Sequence, residues 1–140
     1  MDVKIVMPEG WSVRKETVPG MGGSQEILIE AVSADGSQSV DITVGEMPAE
    51  NTAADQAMTN FLDMVGFDED DAEDYNPIEV WSFNNRKAYG FDAWLEDETP
   101  IRVMCIEPKR GILCVLNVNA PDMDCLESLL ADLERRLRIS

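Results

Sequence analysis

The fold of this chain is indicated most clearly by residues 101–119, which read IRVMCIEPKRGILCVLNVN. The pattern predicts two strands, at about residues 100–107 and 111–119, joined by a hairpin loop that contains Pro108 and Gly111. Apolar side chains occupy successive positions, so each strand presents apolar groups to both faces of a sheet. Strands of this kind are normally central and covered on both sides. We therefore expect two helices, one on each face of the sheet.

The length of this hairpin loop decides where two of the three cysteines lie. A four-residue loop pairs Glu107 with Ile112 and places Cys105 directly opposite Cys114, as a cross-strand thiol pair. A three-residue loop places the two thiols on opposite faces instead. Free cysteine is commonly buried, so two separate core residues are the alternative to a pair. The odd count, completed by Cys125, argues against a disulfide framework.

An Asp-Gly pair at residues 35–36 predicts a second hairpin. It is typical of a two-residue type I′ turn. Such a turn pairs Ile29 with Ile42 on one face, which becomes apolar. Glu30 then lies opposite Asp41 on the other face. Because like charges that face each other are destabilising, we expect water to reach this second face.

The rest of the chain contributes further strands and two amphipathic helices. Strands are predicted at about residues 3–7, 11–18, 25–33, 39–47, 78–84 and 86–96, with a tight turn at residues 84–85. The first helix, residues 52–66, begins with Thr52 as its cap. The second, residues 122–138, is capped by Asp122 and has an apolar stripe formed by Leu126, Leu129, Leu130, Leu133 and Leu137. The element order ββββαββββα predicts one α+β domain, residues 1–140, with two helices on a mainly antiparallel sheet.

The composition excludes several classes of function. The chain has 28 acidic and 11 basic residues, a formal net charge of −17 and no histidine. This charge disfavours binding to nucleic acid and to anionic membranes. Without histidine, neither a Ser-His-Asp triad nor a histidine-ligated zinc site can form. The chain start lacks the pattern of a signal peptide and no apolar run reaches about 18 residues, so a cytoplasmic protein is expected.

The most conspicuous polar feature is an acidic run at residues 68–74. Its carboxylates are Asp68, Glu69, Asp70, Asp71, Glu73 and Asp74. Clustered carboxylates can bind Ca²⁺, but the EF-hand spacing fails because Glu73 stands where glycine is required. We interpret the run as an exposed loop that aids solubility or meets a basic partner. It is therefore predicted as an interaction site and not as a metal site.

An exposed tryptophan is the second candidate for an interaction site. Trp94 shares its strand face with Asp92 and Gly90, which favours partial exposure, and tryptophan is enriched at interface hot spots. Packing in the core or at a sheet edge is the alternative.

The glycine-rich residues 19–24 match no phosphate-binding motif and are predicted to form a connector. The carboxylates of residues 96–98 fall in an exposed turn, so no catalytic residue, cofactor or metal ligand is predicted.

The stretch Pro8-Glu9-Gly10-Trp11 follows one short strand and precedes another. Together with the order of elements, it resembles the Mog1/PsbP-like superfamily, whose members often begin with such a turn. The resemblance implies an antiparallel sheet between helices and an accessory or binding role, without enzymatic activity. The size and charge are also similar to those of type III secretion chaperones, which are α+β dimers. Those chaperones begin with a helix, whereas this chain begins with strands.

These observations lead to one hypothesis and two alternatives, besides the remaining case of an enzyme that uses carboxylates, which would require a cleft with a carboxylate of strongly shifted pKa. We expect a small, acidic, non-catalytic cytoplasmic protein that binds another, basic protein, either as a monomer or as a homodimer. Steering by its charge would make the encounter salt-dependent. The first alternative is a module that binds a small molecule or Ca²⁺, either between the sheet and a helix or at the acidic run. The second is a dimer that resembles the acidic secretion chaperones.

Overall fold

The computed structural model describes residues 3–20, 25–48, 50–65 and 78–139. In these ranges the chain forms nine strands and two helices. In chain order they are β1 (Val3–Ile5), β2 (Ser12–Pro19), β3 (Gln25–Val32), β4 (Ser39–Glu46), α1 (Ala53–Val65), β5 (Glu79–Phe83), β6 (Arg86–Trp94), β7 (Pro100–Lys109), β8 (Ile112–Asn119), α2 (Met123–Arg136) and β9 (Leu137–Ile139).

Seven of these strands form one antiparallel sheet in the order β2-β3-β4-β8-β7-β6-β5. The hairpin of β7 and β8 lies at its centre, as the stretch 101–119 predicts. Met104 and Cys105 are neighbours in β7 and point to opposite faces, yet both are fully buried. The predicted α+β class, with two helices packed on a mainly antiparallel sheet, is confirmed.

The two helices cover opposite faces of this sheet, as predicted. Helix α1 packs on β6 and β7, where Phe61 meets the ring of Phe91 edge-on at 5.2 Å between centroids. Helix α2 packs on β7 and β8 from the other side. The five leucines of the predicted stripe, four in α2 and Leu137 just after it, are all buried in the main core, so they stabilise the fold of this chain. Among the described residues, no helix has the length and apolar character needed to cross a bilayer.

Both helices begin at the predicted caps. The backbone N–H of Asp55 donates to the hydroxyl oxygen of Thr52 at 3.1 Å, and that of Cys125 donates to the carboxylate of Asp122 at 2.8 Å. These bonds satisfy N–H groups that have no partner within the helix. The hydrogen bond lowers the pKa of Asp122 from its ordinary value.

The predicted end of the second helix was wrong. The helix ends at Arg136, and Leu137–Ile139 form β9, which pairs antiparallel with β1 in a separate two-stranded sheet. Leu137 continues the helical spacing of the leucine stripe, so the periodicity alone does not reveal the change. The backbone of Leu137 is extended, and Ile5 lies opposite it. A pairing between the two ends of the chain leaves no local signal in either segment.

The hairpin of β3 and β4 has the predicted register but a different turn. Ile29 pairs with Ile42, and Glu30 with Asp41. The turn is not type I′, because only Gly36 has a positive φ, whereas type I′ needs two. The loop is closed by the Ser33 N–H, which donates to the carbonyl of residue 38. A true type I′ turn joins β5 to β6, where Asn84 and Asn85 have φ of 51° and 63°.

The cysteine pair expected from a four-residue loop does not form. The turn between β7 and β8 is shorter, with Lys109 opposite Ile112, and a bulge follows Ile106. The bulge sets Ile106 against Cys114, which moves Cys105 opposite Val115. Cys105 therefore faces α1, and Cys114 lies in the core beneath α2. Both are buried free thiols on opposite faces of the sheet.

Candidate functional site

The two faces of β3 and β4 differ in how they are covered. On the side of α2, Ile29 and Ile42 are at most 2 % exposed. On the side of α1, the helix lies over β6 and β7, and among the described residues neither helix makes more than weak contact with β2, β3 or β4. There Leu28 is only half-buried, and Glu30 and Asp41 are exposed. The described residues therefore leave one half of this sheet face without a packed helix.

We call this surface the open face. It is formed by Arg14, Glu16, Leu28, Glu30, Asp41, Thr43, Asn60, Asp63, Met64 and Asn117. Two depressions of about 270 and 450 Å³ cross it, the first over β2–β4 and the second between β4 and α1. Thr43 lines both, so they adjoin each other. The result is a trough that runs from the edge strand β2 to the exposed flank of α1.

The charge of the open face is negative. Four carboxylates lie on it, against one guanidinium, that of Arg14, which is already ion-paired with Glu16. Glu30 and Asp41 are register partners, so their like charges face each other. Partial burial, and then the charge of Glu30, raise the pKa of Asp41 from its ordinary value. A cation bound here would compensate charges that the fold leaves in mutual repulsion.

A second polar cluster lies on the opposite face of the sheet and is buried. Arg102 is 8 % exposed, and its Nε and Nη2 donate to the two carboxylate oxygens of Asp92 at 2.6 and 2.9 Å. Its guanidinium carbon lies 4.2 Å from the ring centroid of Trp81. The bond to Asp92 raises the pKa of Arg102 above its ordinary value. The cluster joins β5, β6 and β7, so we assign it a structural role.

Sequence reasoning did not find this cluster, although a signal was present. A turn at residues 95–99 sets Asp92 opposite Arg102. Opposite charges at directly facing positions attract. The contact with Trp81 could not be predicted from this turn alone. Trp81 lies in β5, whose register with β6 is set by the turn at residues 84–85.

The predicted interaction residues fall into two groups. Trp94 belongs to the described residues. It lies at the end of β6, opposite Pro100, and is 61 % exposed. Its neighbour Ala93 packs towards α1, so Trp94 points to the other face of the sheet, away from the open face. Trp11, by contrast, is half-buried against the main core. Asp68, Glu69, Asp70, Asp71, Glu73 and Asp74 lie outside the described residues.

The cysteines are poorly placed for nucleophilic chemistry. Burial raises the pKa of both Cys105 and Cys114 to about 12, so the reactive thiolate is scarce at neutral pH. Hydrogen bonding with Asp122 raises the pKa of Cys125 as well. In the described parts of the chain, no group of three or more Cys, Asp or Glu side chains is arranged to hold a metal ion.

No protein-family model, curated protein or solved structure matches this chain. The assignment of a function therefore depends on the chemistry of the surfaces described above.

Proposed function

We propose that this protein is a non-catalytic, cytoplasmic binding module that docks a basic segment of another protein on the open face. The observation that carries the proposal is the bare, acidic half of the sheet. On this half of the sheet the described residues place no helix, four carboxylates and one arginine that is paired with Glu16. Such a surface is complementary to lysine and arginine side chains. The net charge of −17 would also accelerate the encounter with a basic partner.

The open face offers a basic segment more than charge. Leu28 and Met64 contribute apolar surface beside the carboxylates, and Met64 is 47 % exposed. A lysine or arginine can lay its hydrocarbon stem on such a surface while its charged end reaches the acids. A cation between Glu30 and Asp41 would relieve their repulsion, which adds to the gain from docking.

Other observations support the non-catalytic and cytoplasmic parts of the proposal. The raised pKa values of the thiols disfavour cysteine-based catalysis. Three cysteines without disulfide bonds are typical of a reducing compartment. The Pro8–Trp11 turn and the sheet between two helices accord with the resemblance to the Mog1/PsbP-like superfamily, which implies a binding role.

The proposal is tested with a display library of random twelve-residue peptides selected on the immobilised protein. We expect enrichment of peptides rich in Lys and Arg, whose binding weakens as salt rises. The double variant Glu30→Gln/Asp41→Asn should weaken these peptides by about tenfold.

The matched control is Glu96→Gln/Glu98→Gln, which removes the same charge from the exposed turn between β6 and β7 and should leave binding unchanged. An equal loss of peptide affinity in both variants would show that only the net charge of the protein acts. Selection of neutral or acidic peptides would contradict a basic partner. Capture from a lysate of the native cells, with the same variants, then identifies the partner.

A further inference from the structure

The basic residues of this acidic chain are unevenly distributed. Five of the eleven lie at one end of the molecule: Arg86, Lys87, Lys109, Arg110 and Arg138. In an antiparallel sheet the β5–β6 and β7–β8 turns project from the same end, and β9 lies beside them. Glu107 and Glu134 lie at the same end, where they accept hydrogen bonds from the N–H groups of Gly111 and Asn84. The basic residues are therefore concentrated beside a few carboxylates, in a chain whose net charge is −17.

A pocket of about 300 Å³ opens between these turns and β9. Its buried lining is apolar and includes Phe83, Ile106, Cys114 and Leu137, none more than 5 % exposed. Its exposed lining includes two arginines, Arg86 and Arg138. An apolar interior with a few polar groups at its mouth is the usual composition of a small-molecule site.

The two arginines at the pocket differ from the other arginines of the described chain in their ion pairing. Arg14, Arg102, Arg135 and Arg136 each have a carboxylate partner. Among the described residues, neither Arg86 nor Arg138 has one. Nη1 of Arg138 donates to the backbone carbonyl oxygens of Glu134 and Leu137, at 2.7 and 2.9 Å. These bonds hold the guanidinium beside the pocket, and no carboxylate of the described residues forms an ion pair with it.

We infer that this pocket binds a small organic carboxylate with a hydrocarbon or aryl body, whose carboxylate meets Arg86 and Arg138. The volume corresponds to about ten waters, which limits the ligand to about ten to fifteen non-hydrogen atoms. Burial of the hydrocarbon against Phe83, Ile106 and Leu137 supplies the driving force. The guanidiniums select the anion because they offer charge-assisted hydrogen bonds to a carboxylate.

This site is independent of the proposed docking surface. Cys114 and Ile106 point to the α2 side of the sheet, whereas the open face lies on the α1 side. Neither arginine belongs to the open face. A ligand in the pocket and a basic segment on the open face therefore use different residues, and either can fail without the other.

The probe is octanoate, and titration calorimetry measures its affinity. The chemical shifts of the Ile106 and Ile139 methyl groups report its position. We expect octanoate to bind and to shift these signals, and 1-octanol and octylammonium to bind at least about tenfold more weakly. The variant Arg86→Gln/Arg138→Gln should weaken octanoate by about tenfold or more.

The matched control is Lys87→Gln/Lys109→Gln, which removes the same charge from the same end at positions that do not line the pocket. All four residues are exposed, so both variants should fold. Arg86→Gln/Arg138→Gln should have a slightly lower melting temperature, because it loses the bonds from Arg138 to the carbonyls of Glu134 and Leu137. The inference is overturned if octanoate does not bind, if octanol binds as tightly, or if the two double variants lose affinity equally. Binding only by an acetylated tripeptide ending in leucine would also overturn it, in favour of a protein C-terminus.

Discussion

Asp92 and Arg102 face each other on β6 and β7, and both carboxylate oxygens of Asp92 accept hydrogen bonds from the guanidinium of Arg102. Their side chains are only 17 % and 10 % exposed. Removing one partner leaves the other charge buried without compensation, so Asp92→Ala should lower the free energy of unfolding by about 3 kcal/mol. Urea denaturation of the variant and the wild type at pH 7 measures this loss of stability. The double variant Asp92→Ala/Arg102→Met should be more stable than the single one, and a less stable double variant would contradict this.

Gly90 should be the glycine of the sheet least tolerant of substitution. A Cβ atom there would lie 1.9 Å from the carbonyl oxygen of Val103 in the neighbouring strand, so the backbone must move. We expect Gly90→Ala to destabilise the protein by about 3 kcal/mol. The control is Gly45→Ala, whose Cβ meets the flexible side chain of Glu26 and should cost about 1 kcal/mol or less. Thermal or urea unfolding measures the loss of stability in both variants. Equal losses would show that the contact with the Val103 carbonyl oxygen is not the cause.

Asp41 should reduce stability at neutral pH. Its pKa in the folded chain is raised above 3.8, so the folded state holds its proton more tightly than the unfolded state. Stability therefore falls as pH rises from 3.8 through the raised value, and the penalty is complete above it. Asp41→Asn removes this penalty and should raise the free energy of unfolding at pH 7 by up to about 1 kcal/mol, discounted for solvent screening.

The same variant should match the wild type well below pH 3.8, where the carboxyl of Asp41 is protonated in both the folded and the unfolded state. Urea unfolding of both proteins from pH 3 to pH 7 tests the sign. A control is Glu98→Gln in the exposed β6–β7 turn, which should show a smaller difference. A destabilised Asp41→Asn variant at pH 7 would show that the carboxylate forms a favourable contact instead.

The three cysteines should differ in reactivity. Cys125 is partly exposed, whereas Cys105 and Cys114 are buried with pKa values of about 12. Iodoacetamide at pH 8 should label Cys125 in the folded protein, slowly because its pKa is also raised, and the other two only after unfolding. Mass spectrometry counts the labels, and Cys125→Ser should remove the native label. A Cys105–Cys114 disulfide formed in the folded protein under mild oxidation would contradict their placement on opposite faces.

The elements that could be predicted from sequence are those specified by local patterns. Two helix caps are recognisable from the residue types alone, Thr52 and Asp122. The turn at residues 84–85 and the pairing of Ile29 with Ile42 follow from turn residues and from the alternation of apolar and polar side chains. The acidity of the open face was also indicated, since Glu30 and Asp41 fall on one face in that register. What the pattern could not show is that neither of the two helices of the described chain packs over them.

The sequence by itself determined that this chain is an acidic α+β protein with a central apolar hairpin and a helix for each face. Only the tertiary structure decided three features: β9 pairs with β1, Cys105 and Cys114 point apart, and Arg86 and Arg138 meet at one pocket. The physical reason is the range of the interactions. Caps, turns and periodicity act within a few residues, whereas strand order, bulges and pockets depend on packing between segments far apart in the chain.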